Sequence, residues 1–450
     1  MKKKALALLL TAAMAVSLLT GCGSAADKQG TDTQEGTTAE NTNTPEDNSG
    51  TTDGEDSGKE LSGTLTIWSS GEELGRFVEG FNAIYPNIKV DITVVPNADF
   101  LAKLTPTLSS GQGAPDIFTG ESDYVRYLVE SPYWEDLKQE PYNVTQYTND
   151  IWKYIVSVGT DSNGAIKALS WQASPGSIMY RRDMAQEYLG VSEPEDVAKL
   201  LGSNADMLKV AATLQENGIK MFASWQDIWN MSFSNRDSSW IENNTLMIGD
   251  DVLGFMDMAK EITDKGYSLN VDPWSPEWTA AVESTDTFCY VLPTWGYQFV
   301  VKPAADTTKG KWGLTTGPVP YVKGGTWLGI YKDSPNKELA WEFMKYVTCN
   351  SEAQKAYAQQ YGEYVSSASA DEALAAGEGE EVLGGQNLYE FYNSQMLQIP
   401  DNKMSPYDGV INNAFLSAAK AYTTGALSKD EAIQQFKDDV ASSYPDLTIE

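Results

Sequence analysis

The chain has no histidine among its 450 residues. That absence removes the commonest general base, the commonest transition-metal ligand and the side chain that switches charge near neutral pH. Ser-His-Asp and Cys-His catalysis are excluded with it, and an enzyme would be left with carboxylate chemistry. Cysteine is almost as scarce: Cys22, Cys289 and Cys349 are the whole complement. Arginine occurs five times, with Arg181-Arg182 the sole adjacent pair. Recognition of phosphate, sulfate or carboxylate usually draws on arginine forks or helix N-termini, so an anionic ligand is disfavoured. Positive charge is short overall, 32 basic against 63 acidic side chains for a net charge of −31. A phosphate backbone or an anionic membrane surface would be repelled, which argues against nucleic acid as a partner.

What is present begins at the N-terminus. Lys2, Lys3 and Lys4 precede ALALLLTAAMAVSLL, an apolar run of secretory length that is too short for a full bilayer span. Residues 1–21 are read as an export signal. The end of that signal, Leu19-Thr20-Gly21-Cys22, resembles the bacterial lipobox, in which cleavage precedes the cysteine and the cysteine is lipid-modified. Acyl chains on Cys22 would hold the mature protein at the outer face of the cytoplasmic membrane, each buried methylene contributing about 0.8 kcal/mol. Residues 22–62 are Gly, Ser, Thr, Asn, Asp and Glu with almost no large apolar side chain. Such a tract cannot offset its own ordering entropy and is read as a disordered acidic linker with a reach of roughly 35 Å. No later segment is apolar enough to span a bilayer, so the body beyond the anchor is expected to be soluble.

The length suggests two or three domains. GTLTIWSS, residues 63–70, alternates apolar and polar positions between Gly63 and Gly71 and reads as a strand. Leu74, Phe77, Val78, Phe81 and Ile84 then recur at helical spacing until Pro86. A second strand is expected over 88–95, a helix over 98–109 ending near Gly111, and a short third strand over 115–119. Strands alternating with helices imply a parallel α/β layer, whose ligands sit at the carboxyl ends of the strands. That singles out residues 68–72, 96–99 and 120–123. Residues 156–171 carry two β-prone runs around Asn163-Gly164, a hairpin signal. Ser192 with Glu195 and Ser428 with Glu431 fit capping boxes, and Ser334-Pro335 reads as an N-cap followed by proline.

The order of motifs resembles the extracellular solute-binding proteins of ABC transporters, in particular the carbohydrate-binding family that includes maltose-binding protein. The matching stretches are LTIWSSGEELGRFVEGFNAIYPNIKV, SGQGAPDIFTGES, KALSWQASPGSIMYRRDMAQEYLG, VLPTWGYQFV and the long block from WGLTTGPVPYVKGGTWLGI through SPNKELAWEFMKYV to QQYGEYVSS. The resemblance implies an α/β, two-lobed periplasmic-binding-protein-like fold with a hinge and an interlobe ligand cleft. It implies lobe one over 63–171 plus 322–365 and lobe two over 172–321 plus 366–450. The acidic stretch 371–385 has no clear counterpart, and Glu363-Tyr364 stands where the family usually has proline. Both departures put the C-terminal rim of the cleft in question.

The chain's thirteen tryptophans and twenty-three tyrosines supply flat, amphipathic rings. A pyranose has an edge of hydroxyls and apolar C–H faces, so its site needs aromatic plates and planar hydrogen-bonding groups. Trp68, Trp171, Trp225, Trp229, Trp295 and Trp327 are the candidate plates, because the fold analogy places each in a loop facing the cleft. Ser69, Glu72, Asp123 and Gln172 are the candidate hydroxyl partners, with Glu121 a substitute for Asp123, since an ionised carboxylate accepts hydroxyl hydrogen bonds strongly. Trp152, Trp312 and Trp341 are assigned to packing. The exterior of a cell permits disulfides. The resemblance puts Cys289 and Cys349 in different lobes, where a bridge would oppose closure, and both are read as buried apolar thiols.

The expected function is therefore capture of a neutral sugar or oligosaccharide, with uronic acids left open as ligands, and its delivery to ABC permease subunits by a lipid-anchored, monomeric protein outside the cytoplasmic membrane. No cofactor, metal or catalytic residue is expected. An anchored glycoside hydrolase is the alternative; it would need two carboxylates facing each other across a glycosidic bond, with Glu72, Glu121 and Asp123 as nominal candidates. A surface sugar sensor or adhesin on the same fold is a third reading.

Overall fold

The computed structural model describes residues 61–400 and 403–449; the export segment, Cys22 and nearly all of the linker lie outside them. In chain order its strands are Gly63–Ser69 (β1), Ile88–Val94 (β2), Ile117–Glu121 (β3), Leu169–Ser170 (β4), Gly176–Arg181 (β5), Lys220–Phe222 (β6), Ile241–Glu242 (β7), Thr245–Leu246 (β8), Thr287–Pro293 (β9), Trp312–Thr315 (β10) and Thr326–Ile330 (β11). Two sheets organise them, in the orders β2-β1-β3-β11-β4 and β10-β5-β9-β6, with β7-β8 a separate pair.

In the first sheet β1 lies parallel to both β2 and β3, as expected of strands joined by helices, and β11 returns antiparallel between β3 and β4. Leu65 and Ile67 of β1 point into the core because side chains alternate along a strand. In the second sheet β5 runs antiparallel to β9 and β10. Every residue of β9, TFCYVLP, is buried, which an uninterrupted apolar run achieves only when both faces are covered. Met179, Tyr290, Leu292 and Leu314 face the core shared with the first sheet. Ile178, Tyr180, Phe288 and Val291 face a second core, formed with the helices Asn204–Glu216, Asp250–Asp264, Asp408–Thr423 and Lys429–Ser443.

The two sheets mark two lobes. The chain leaves the first sheet after Ser170, enters the second at Gly176, and returns between Thr315 and Thr326. The two crossovers pair with each other: Pro175 bridges Val322, and the Lys323 amide donates to the Ser174 carbonyl at 3.1 Å.

Several local expectations are revised. The third strand begins at Ile117 rather than 115 and runs on to Glu121, because Asp116 is recruited elsewhere: its carboxylate accepts the Thr66 amide and hydroxyl at 2.8 Å and the Ser334 hydroxyl at 2.6 Å. The same bond removes Ser334 from capping; the helix Lys337–Cys349 starts behind Asn336. Ser192 caps nothing, since Pro194 opens the helix Pro194–Leu200 behind Glu193. Around Asn163-Gly164 the turn exists, with Gly164 at φ +83°, but the run before it is the helix Lys153–Val158, and a single Thr160–Ile166 bridge stands in place of a hairpin. Ser428 and Glu431 do form the full capping box.

Trp312 and Trp341 are buried and Trp152 is packed against the core, its indole N–H donating to Asp371 at 2.9 Å. The stretch 371–385 begins within the helix Ala368–Ala375, and Glu380 and Glu381 pair with Lys302 and Lys309. Both cysteines within the described residues are free thiols; Cys289 is buried, whereas Cys349 is half-buried at the end of its helix. Among the described residues no helix is long and apolar enough to cross a membrane.

Candidate functional site

A cleft of about 1620 Å3, counted with its open mouth, is lined from both sheets. One wall is polar. Glu121 ends β3, and its carboxylate accepts the Thr326 hydroxyl of β11 at 2.9 Å and the hydroxyl of Ser70, the residue that follows β1. Burial pushes Glu121 up to about 7, against the pull of those two hydroxyls. Two residues on, Asp123 pairs with Lys323 at 2.5 Å, and that ammonium holds the Asp123 carboxyl below its ordinary value. Gln172, in the first crossover, also lines the cleft. Its amide donates to Glu363 at 2.9 Å, and Glu363 in turn accepts Arg76 and the Tyr357 hydroxyl, each at 2.7 Å. Glu363, which stands where the resemblance implies a proline, is thus buried and tied to the crossover through Gln172.

The facing wall is aromatic. Trp274 is 62% exposed, a large apolar surface left open in a chain that buries most of its indoles. Its ring stacks on Trp295 at 5.4 Å with 21° between planes and tilts against Trp278 at 5.4 Å. Pro273 precedes Trp274 in a turn, Pro276 opens the short helix Pro276–Ala280 that carries Trp278, and Trp274 adopts φ +68°. A bulky residue in the left-handed region is a backbone outlier of the kind that gathers at ligand clamps. The segment is pinned from below. Asp272 accepts Lys420 and the Gln226 amide, both at 2.7 Å, and Asp227 accepts the Trp278 indole N–H at 2.8 Å. Asp227 is 4% exposed, and burial pushes it up to about 7 despite that bond. The Trp295 N–H donates to the Lys323 carbonyl at 2.9 Å, tying the platform to the second crossover.

Of the residues singled out from sequence, the cleft gathers Asp123, Gln172, Trp229 and Trp295. The others lie elsewhere. Trp171, 1% exposed, is edge-on to Phe77, and Trp327 is sealed in the core with its N–H on the Ile155 carbonyl. Trp225 packs behind the wall against Phe255. Trp68 is half-buried against the first core, Ser69 is buried, and Glu72 is exposed outside the cleft. Their neighbours Ser70, Glu73 and Gln226 take the cleft positions instead. One-residue displacements of this kind follow from geometry, since adjacent side chains at a strand end or tight turn point to opposite sides. Trp229 meets the cleft at one edge while its ring packs on Phe415 at 4.5 Å and Phe255 at 4.8 Å. The signal for Trp274 is PWSP, an indole confined to a loop between two prolines, whereas Trp278 sits in the helix that Pro276 opens. Among the described residues no group of three or more cysteine, aspartate or glutamate side chains is placed to hold a metal ion.

Residues 76–378 match the family model of the bacterial extracellular solute-binding protein. Among solved structures, the chain is similar to an extracellular solute-binding protein of family 1, at 21% identity and a TM-score of 0.74, over 84% of this chain and 99% of that one. It is similar to the galacto-N-biose/lacto-N-biose I-binding protein of an ABC transporter from Bifidobacterium longum, in complex with lacto-N-biose, at 15% identity and a TM-score of 0.70, over 86% and 99%. An ABC transporter associated binding protein from B. animalis subsp. lactis, in complex with β-1,6-galactobiose, aligns at 17% identity and a TM-score of 0.68, over 87% and 100%. At these identities the likeness carries the fold.

Proposed function

Since the chain belongs to the bacterial extracellular solute-binding proteins, we propose that it captures a sugar or oligosaccharide between its lobes and delivers it to the permease of an ABC transporter. The observation that carries this reading is the exposed Trp274–Trp295 stack facing a wall of hydroxyls and carboxylates. Indole faces match the C–H faces of a pyranose, and Ser70, Glu121, Asp123 and Gln172 match its hydroxyl edge. The similar structures in complex with lacto-N-biose and β-1,6-galactobiose point the same way.

Capture is a population shift. A saccharide touching one wall gains half of its contacts, and touching both requires closure, so the ligand stabilises the closed form by its difference in affinity for the two states. No bond is made or broken. Residues 63–171 plus 322–365 act as one lobe and 172–321 plus 366–450 as the other, turning about the paired crossovers. Cys22 carries the lipid, and the linker keeps a single copy of the binding body within reach of the permease at the outer face of the membrane. Tryptophan fluorescence and calorimetric titration with a glycan panel test this: saturable binding of at least one glycan is expected. Silence across the panel would overturn sugar capture, and release of reducing ends from a bound oligosaccharide would replace it with hydrolysis.

A further inference from the structure

We propose that a chamber behind the cleft accepts the carboxylate of an acidic sugar unit, with Arg236 as its partner; this deepens the sugar-capture reading and rests on it. The chamber, whose enclosed part is small, shares Ser122, Asp123, Phe233, Lys323, Gly324 and Asn412 with the cleft and so adjoins it. Tyr154, Val158 and Trp327 give it an apolar lining on the side of the first core.

Arg236 lines this chamber and is 2% exposed. Its guanidinium lies over Phe233 at 4.0 Å and Trp240 at 5.2 Å. Nη2 makes two long contacts, 3.4 Å each, to Asp408 and to the Lys403 carbonyl. Nε and Nη1 are buried with no hydrogen-bond partner among the described residues. Leaving charged donors buried and unpaired is costly, and the cost is relieved when a planar acceptor of opposite charge arrives.

The surrounding charges favour that acceptor. Asp123 is taken up by Lys323, and Asp408 is also held by the Ser405 amide and hydroxyl. Among the described residues that line the chamber, Arg236, Lys323 and Lys403 are set against Asp123 and Asp408, three cations to two anions in a chain of net charge −31. The cleft in front of it sets the acidic side chains Glu73, Glu121, Asp123 and Asp227 against Lys323, which it shares with the chamber. A carboxylate therefore meets fewer acidic groups and more cations in the chamber than in the cleft. The scarcity of arginine, which favours an uncharged ligand when the chain is read as a composition, has its exception at this position. Sulfate and phosphate esters share the charge and the fork geometry, and the carboxylate is the smallest of the three groups.

Calorimetric titration of the full chain against neutral oligosaccharides, uronic-acid oligosaccharides of the same lengths, and sulfated and phosphorylated disaccharides tests this. Uronides are expected to bind at least about tenfold more tightly than their neutral counterparts, and Arg236→Met should lower that ratio by at least about tenfold. Ser122→Leu, which narrows the passage into the chamber and leaves the arginine in place, should lower the ratio too and serves if the arginine variant does not fold. Preference for sulfated or phosphorylated sugars would assign the chamber to those esters and overturn the carboxylate. Uronides binding no tighter than neutral sugars would make Arg236 a packing residue, overturning the chamber but leaving sugar capture intact. Binding of no glycan at all would instead sink the capture reading itself.

Discussion

The two walls of the cleft are built by different physics. The wall on the first sheet consists of short polar side chains at strand ends, Ser70, Glu121 and Thr326, which hold one another by hydrogen bonds. On the second sheet the wall is made of indoles whose inner rings belong to the core: Trp278 is fully buried, Trp229 nearly so, and Trp274 alone stands in the open. A polar wall supplies direction, and an aromatic wall supplies area. Neither suffices alone, because a hydroxyl edge bound without its faces covered, or the reverse, leaves half of the sugar facing water. On the sugar-capture reading, the division would give closure its energetic reason. It also means that a tryptophan in the second wall can serve the fold, the ligand or both, and mutation separates the cases.

The largest effect is expected at the buried end of that wall. Trp229→Ala should cost about 3–5 kcal/mol of stability in urea unfolding, because the ring packs between Phe255 and Phe415. A loss below about 1 kcal/mol would show that Trp229 is a plate rather than a core residue.

Asp227 sharpens the point through pH. The folded protein keeps it protonated up to about pH 7, whereas the unfolded chain releases its proton near 3.8. Its ionisation therefore opposes folding: stability falls as pH rises from about 4 to about 7 and is level in this respect above that. Asp227→Asn, which still offers an oxygen to the Trp278 indole, should raise stability at pH 8 by up to roughly 3 kcal/mol and change little at pH 4. Equal effects at both pH values would contradict the burial argument.

At the exposed end, Trp274→Ala should raise Kd for the best glycan roughly 10–100-fold, about 1.4–2.7 kcal/mol, with a melting temperature close to wild type. Loss of stability without loss of affinity would reverse the roles assigned to Trp274 and Trp229. The smallest effect belongs to the support. Lys420→Met frees Asp272 beneath the Trp274 segment and should weaken binding a few-fold, below about 1 kcal/mol, since the pair is half in solvent.

Much of the first lobe was legible in sequence because its elements are local. The alternation of GTLTIWSS and the helical spacing from Leu74 to Ile84, which folds as a 3-10 turn over Glu73–Phe77 running into the helix Val78–Ile84, each specify a short segment by its own pattern, as the capping box at Ser428 does in the second lobe. The C-terminal half of the cleft was less so. Gln226, Asp227, Trp274, Asn412 and Asn413 come together from segments far apart in the chain, and no spacing within any one of them announces the meeting. The missed caps have the same origin: Ser334 was claimed by Asp116, a partner 218 residues away.

By itself the sequence determined the α/β alternation, the family and the abundance of indoles without histidine, because each is written in composition or in neighbours a few residues apart. Which indole faces the cleft, which serine lies one step inside the wall, and which of five arginines is buried without full pairing were decided by the tertiary structure alone. The reason is that side-chain direction reverses from one residue to the next, while burial depends on what arrives from the rest of the chain.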